Sequence, residues 1–283
     1  MRCQAEALES CAKHLQSHPM DLVRIADLLR PFLDPSVGDS HRSPRVPRPG
    51  APSALGWEKV TTDPCHSDPE RSEGKESAFL SPAQLKYIST YIDVLFRWNA
   101  RINLTAIRDP EEIVTRHFGE SFFLARHLFP GNAAGAPSSS RFVRQGGDLL
   151  DLIDLGSGAG FPGLPIKIWA PHFHVTLIES NRKKATFLRE IVRNLTLTDI
   201  NVFSGRAEEF ASQAAVVTLR AVERFDAALP AAAHLVAPGG RLALLIGQSQ
   251  TDRARQLLPL FHWSAPLPIP LSSSRILLTG TVA

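Results

Sequence analysis

The residues best suited to chemistry lie between positions 154 and 220. Asp154-Leu155-Gly156-Ser157-Gly158-Ala159-Gly160-Phe161-Pro162-Gly163 concentrates glycine directly after an apolar run, Leu149 to Leu155. Glycine is needed where a chain turns sharply, or where backbone must approach a ligand more closely than a Cβ allows. Glu179 closes a second apolar run, at about the spacing from the glycines at which an acid reaches a ribose diol. Ala207 and Glu208 follow a third run, and Arg220 closes a fourth. Strand, glycine turn and helix make the nucleotide-binding corner of a doubly wound α/β sheet, where ligands sit outside the carboxyl ends of the strands.

The loop reads in two registers. Gly158 to Gly163 matches the dinucleotide fingerprint G-x-G-x-x-G. Asp154 to Gly160 matches D-x-G-x-G-x-G, the glycine loop of class I S-adenosylmethionine (SAM) methyltransferases. A pyrophosphate wants free backbone N–H groups and a positive helix terminus. SAM has no phosphate and carries an ammonium. Asp154 suits an ammonium and would repel a pyrophosphate, and Pro162 and Pro165 remove two N–H donors. The loop therefore favours SAM, with a ligand-free glycine turn as the bland alternative.

The elements holding these residues follow from periodicity. From Leu149 onward strands and helices alternate, with strands at 174–178, 200–203, 215–219 and 241–246 and edge strands near Phe261 and at 275–282. Such alternation implies an α/β fold with a mostly parallel, doubly wound sheet and right-handed crossovers. Upstream, Ser81-Pro82-Ala83-Gln84 is a capping box, and Leu85, Ile88, Ile92 and Leu95 form one helical face. A second helix begins near Pro110 and carries Arg116 and His117. Residues 21 to 33 also show helical spacing, with no evident partner. Residues 35 to 78 are rich in Pro, Ser, Arg and Glu and read as a disordered insertion. Arg42, Arg45 and Arg48 could form an RNA-binding arm there, though a solvated linker is preferred. Residues 131 to 147 read as a long loop. The chain thus divides into an extension (1–78) and a catalytic domain (79–283), itself a helical part (79–130) and an α/β core (149–283).

The whole chain adds limits. Its 283 residues allow one or two domains, and a net charge of +3 does not mark a strong polyanion binder. The three cysteines form no C-x-x-C pair, so no zinc site or disulfide framework is implied, which fits a reducing cytoplasm. No run is long enough to span a membrane, and the polar start of the chain lacks a signal-peptide apolar region.

The chain resembles the small-subunit ribosomal RNA guanine-N7 methyltransferases, the RsmG or GidB family. The resemblance rests on R-W-N-A-R-I-N-L-T-A-I-R-D-P at 97–110, R-H-F at 116–118, D-L-G-S-G-A-G-F-P-G at 154–163, L-I-E-S at 177–180, G-R-A-E-E at 205–209, L-R-A at 219–221 and A-P-G-G-R at 237–241. It implies a Rossmann-like class I SAM-dependent methyltransferase with N-terminal helices, SAM as cofactor and 16S rRNA or the small ribosomal subunit as partner. It places SAM contacts on Gly156, Phe161, Ala207, Glu208 and Arg220. The glycine-loop reading adds Asp154, Gly158, Gly160 and Glu179. Guanine N7 has a lone pair ready to react, so no general base is assigned; Arg220, Arg116, His117 and Asn103 are candidates for positioning base or phosphate. Lys183 and Lys184 are either phosphate contacts or a solvated helix face. The chain departs from the family in having Glu179 and Glu120 where Asp is usual, and Ile246 where Lys is frequent. A cytoplasmic monomer without a metal is expected. The rival readings are an NAD-dependent oxidoreductase and a non-catalytic RNA- or ribosome-binding module.

Overall fold

The computed structural model describes residues 20–34, 80–129, 151–221 and 224–282. The expected disordered insertion with Arg42, Arg45 and Arg48, the long loop at 131–147 and Leu149 lie outside the described residues. Five parallel strands form the centre: β1 (Asp151–Leu155), β2 (His174–Ile178), β3 (Ile200–Phe203), β4 (Ala214–Arg220) and β5 (Val236–Gly247). Then come β6 (Phe261–Trp263), β7 (Leu267–Pro268) and β8 (Arg275–Val282), all antiparallel. The order across the sheet is β3-β2-β1-β4-β5-β8-β6, with β7 also against β8. The order therefore reverses beside β1, and the glycine loop leaves the sheet at that switch point.

Successive side chains of a strand face opposite ways, and both faces here are covered. Leu152, Val175, Leu177, Val216, Leu245 and Leu277 face one apolar layer. It is built with α1 (Leu22–Leu33), α2 (Pro82–Asn99), α3 (110–128), α4 (Gly163–Trp169) and α5 (Arg182–Asn194). Ile153, Ile178, Val217, Leu244 and Leu278 face the other, with α6 (Phe225–His234) and α7 (Thr251–Leu257). Helix α3 has three segments: a first turn Pro110–Glu112, a π-helical stretch Ile113–Gly119 and an α-helical stretch Glu120–Leu128. The capping box is formed, and Gln84 Nε2 also donates to Ile168 O at 2.8 Å, tying α2 to α4.

Helix α1 finds its partner on α3. Ile25, Leu29, Phe32 and Leu33 are buried, and the Phe32 ring lies so close over Gly119 that a Cβ there would stand 2.5 Å from Cε2. Arg24 also pairs with Glu111 at 2.7 Å. Four buried apolar side chains contribute roughly 1.5–3 kcal/mol each, against about 0–1 for an exposed ion pair, so packing holds α1 in place.

Two expectations are corrected. The strand at 275–282 is not an edge: β8 pairs with β5 on one side and with β6 and β7 on the other. The fifth strand, expected at 241–246, takes in Pro238, Gly239 and Gly240 as well. The helix ends at His234, and β5 starts at Val236 and carries the three residues through a register shift against β4. A bulge absorbs turn-like residues that would otherwise interrupt a strand.

Candidate active site

A cleft of about 710 Å³ opens over the carboxyl ends of the parallel strands. Following the strand order, its floor runs from Gly205, Arg206, Ala207 and Glu208 after β3, to Glu179 after β2, to the glycine loop after β1, to Arg220 ending β4. Arg275, paired opposite Gly247 at the start of β8, closes that end. Thr105, Arg116 and His117 from the helical part overhang the Arg220 side. The cleft thus has a β1–β2–β3 half and a β4–β8 half.

Hydrogen bonding in the glycine loop decides between the two registers. The N–H groups of Gly156 and Ser157 donate to Ile178 O, and those of Gly160 and Phe161 to Ser157 O. Gly158 N–H donates to Glu179 Oε2 at 2.9 Å, and Gly163 N–H to Asp154 Oδ2 at 3.2 Å. Pro162 has no N–H, so of the loop's N–H groups from Gly156 to Gly163 only that of Ala159 has no acceptor among the described residues. A pyrophosphate would find its donors engaged, one of them by a carboxylate. The dinucleotide reading fails on this point.

Asp154 and Gly160 do not reach the cleft, which corrects their assignment as cofactor contacts. Asp154 is fully buried on the α4 face of the sheet, where it accepts from Gly163 N–H and from Thr218 Oγ1 at 2.8 Å. Burial pushes its carboxyl up to about 6, against the pull of the donors from Thr218, Ser157 and Gly163. It fixes the loop onto the sheet and is out of reach of a ligand ammonium. Gly160 turns inward with φ +87°, and a Cβ there would collide with the Tyr91 hydroxyl and Leu164. Its glycine is required by packing.

Glu179 is buried at the junction of two loops. Oε2 accepts from Gly158 N–H, and Oε1 from Asn181 N–H at 2.7 Å. An ionised carboxylate has about four lone-pair sites, so two remain for a ligand in the cleft.

The other half is a set of buried cations around one acid. Glu120 Oε2 accepts from Arg220 Nη2 at 3.1 Å and Arg275 Nη2 at 2.9 Å. Arg220 also donates through Nη2 to Arg116 O and through Nη1 to His117 Nδ1 at 2.9 Å. Burial lowers Arg220 to about 10, partly offset by Glu120. Burial, then Arg220, Arg116 and Arg275, depress His117 to about 2, so the imidazole is neutral. Its ring stacks on Phe161 with centroids 4.6 Å apart, and Phe161 stacks in turn on Tyr91.

Residues 84–263 match the family model of GidB, rRNA small subunit methyltransferase G. The chain belongs to this family. It is 37% identical over 179 residues to the ribosomal RNA small subunit methyltransferase G of Xanthomonas axonopodis pv. citri (strain 306), covering 62% of this chain and 73% of that one. With the enzyme of the same name from Xylella fastidiosa (strain 9a5c) it is 37% identical over 186 residues, covering 64% and 78%. Among solved structures, the ribosomal protein L11 methylase of Lactobacillus delbrueckii subsp. bulgaricus is similar at a TM-score of 0.46 and 11% identity, covering 59% of this chain and 80% of that one.

Of the residues expected to form the site, the cleft unites Gly156, Gly158, Phe161, Glu179, Ala207, Glu208, Arg220, Arg116 and His117, with Lys184 at its margin. Lys183 is exposed and outside the lining. Asn103 is corrected: its side chain is on the surface, where Oδ1 accepts from Arg108. The asparagine that shapes the motif is Asn99, whose Oδ1 accepts from Leu104 and Thr105 N–H while Nδ2 donates to Thr105 O. Ile246 is in the apolar layer, and Arg275 supplies a cation at that end of the cleft. Sequence reasoning missed Thr105, Arg275 and the central place of Glu120. Thr105 stands in the quoted N-L-T, but only the fold turns it toward His117. Among the described residues no helix could cross a membrane and no acidic or His/Cys cluster could hold a metal.

Proposed function

We propose that this chain transfers the methyl group of SAM to N7 of a guanine in small-subunit ribosomal RNA. The observation that carries the choice of nucleophile is the lack, among the described cleft residues, of an acid or imidazole left over to take a proton: each is hydrogen-bonded within the protein, and the open sites of Glu179 are assigned to the ribose. His117 is neutral but has both ring nitrogens in hydrogen bonds, to Arg220 and Thr105. Glu179 has both carboxyl oxygens engaged by backbone donors, Gly158 N–H and Asn181 N–H. The carboxyl of Glu208 lies below its ordinary range through its own backbone N–H and Arg206. An N–H or O–H nucleophile would need such an acceptor. Guanine N7 does not, because its lone pair lies on the major-groove edge of the base.

The donor set fits SAM, a ligand with hydroxyls and an amino-acid end and without phosphate. Glu179 would accept from the ribose hydroxyls, Ala207 and Glu208 would border the adenine, Gly156 and Phe161 would flank the chain, and Arg220 would face the carboxylate. Bound there, SAM supplies a methyl group on a sulfonium. The guanine lone pair forms the new N–C bond as the S–C bond breaks, and no proton leaves the base. The protein's contribution is position: Phe161, stacked on His117 and Tyr91, gives a rigid wall, and the Arg220–Glu120–Arg275 cluster gives a positive end for an RNA strand. The reading carries with it a cytoplasmic enzyme that acts as a monomer.

Labelled SAM incubated with small-subunit particles or their RNA tests this. Transfer of label to the RNA is expected. Binding without transfer would favour a non-catalytic module, and tight NADH binding without SAM binding would overturn the cofactor.

A further inference from the structure

The hydrogen bonds around Thr105 fix what its hydroxyl can do. Arg220 has only donors, so His117 Nδ1, 2.9 Å from Arg220 Nη1, must accept. The ring is neutral in its cationic, buried surroundings, so its one hydrogen is on Nε2. Nε2–H therefore donates to Thr105 Oγ1 at 2.8 Å. The same oxygen accepts from Ile107 N–H at 3.2 Å. A hydroxyl has two lone pairs and one hydrogen. Both lone pairs are engaged, and among the described residues no acceptor takes the hydrogen. Thr105 lines the cleft beside His117. Its hydroxyl is an obligate donor presented to whatever enters there. Asn99 clamps both the N–H and the carbonyl of Thr105, so the residue has little freedom to turn away.

We infer that Thr105 is a specificity-determining residue whose hydroxyl donates to O6 of the target guanine; this rests on the guanine-N7 reading above. O6 is the acceptor next to N7 on the same edge, whereas adenine presents an N6–H₂ donor in that place. A donor-only hydroxyl accepts the first and opposes the second. A neutral donor also suits this reaction better than a guanidinium, because methylation at N7 makes the ring cationic.

The test compares small-subunit RNA carrying guanine at the mapped methylation site with the same RNA carrying 2-aminopurine, which keeps N7 and lacks O6. Wild type should prefer guanine in kcat/KM, and part of that preference is the intrinsic reactivity of the two bases. Thr105→Val keeps the shape and removes the donor. It should lower kcat/KM on guanine about five- to a hundredfold, change it little on 2-aminopurine, and so shrink the ratio between the two. Thr105→Ser should restore the ratio, which a packing role would not predict. An unchanged ratio in Thr105→Val would overturn the inference. So would equal wild-type rates on both RNAs, a result that needs no variant. If wild type methylates no guanine N7 at all, the functional reading itself has failed, which is a different outcome.

Discussion

The two halves of the cleft are built from different material. The β1–β2–β3 half is backbone: a glycine loop whose N–H groups are almost all engaged by its own neighbours, with Glu179 as the one carboxylate that spans it. The β4–β8 half is side chain: Glu120 between two arginines, His117 against Arg220, and Thr105 against His117. The first is fixed by short-range turns within one motif. The second exists only because α3 and the turn after α2 dock onto the end of β4. Under the proposed function the rigid, local half would carry the ribose and adenine of the cofactor, and the assembled half its carboxylate and the RNA.

Variants that separate the halves sharpen the contrast. The largest effect is expected at Glu120, which is 3% exposed. Glu120→Gln leaves two arginines facing each other without their counter-charge. Breaking a buried ion pair from one side costs about 3–5 kcal/mol, so denaturant unfolding should show a loss of at least about 3 kcal/mol. A loss below about 1 kcal/mol would mean that solvent already shields the cluster. The next effect belongs to the other half. Glu179→Gln puts an NH₂ against a backbone N–H and withdraws an acceptor from the ribose. Calorimetry should show SAM affinity lower by about ten- to a hundredfold, while RNA affinity barely changes. Glu179→Asp should cost less. Equal losses of SAM and RNA affinity in Glu179→Gln would erase the distinction between the halves.

The smallest effect is a pH dependence of opposite sign on the two sides. Asp154, under the loop, has a folded value near 6 against 3.8 unfolded. As pH falls from about 6 to 4 the folded state takes up a proton first, so this group adds stability, about 1 kcal/mol at pH 5. His117 has a folded value near 2 against 6.5. As pH falls below 6.5 only the unfolded state is protonated, so this group removes stability. Relative to wild type, Asp154→Asn should lose more stability between pH 7 and 5, and His117→Asn should lose less. Melting temperatures across that range report both, and parallel curves for all three proteins would contradict the assignment.

The sequence was most legible where the chemistry is local. The glycine turn, the strand-end position of Glu179 and the helix cap at Ser81 are each contained in a few residues, and the structure forms all three. Asp154 was recognised as important but given the wrong direction, because strand parity turns it toward the Gly163 N–H and Thr218 and away from the ligand. Gly160 looked like a ligand glycine and is a packing glycine, since Tyr91 comes from a helix some seventy residues earlier. The contacts of Arg220 with His117 and Glu120 span about a hundred positions, and no periodicity or spacing reports them. The turn after α2 defeated the choice of residue within a motif that was itself visible. Asn103 is exposed because the chain doubles back on Asn99, which leaves Thr105 facing inward. The π-helical stretch of α3 likewise has no signature in a 3.6-residue pattern.

The central claim is that the cleft brings a ready nucleophile to the methyl group and removes no proton from it. The pH dependence of single-turnover methyl transfer, at saturating SAM and RNA, tests this most directly. The rate should be nearly flat from about pH 6.5 to 8.5, with 7-methylguanine as the product, because neither the base nor any cleft residue must lose a proton. A rate that climbs about tenfold per pH unit across that range would show that a proton is removed before or during transfer, and would contradict the account.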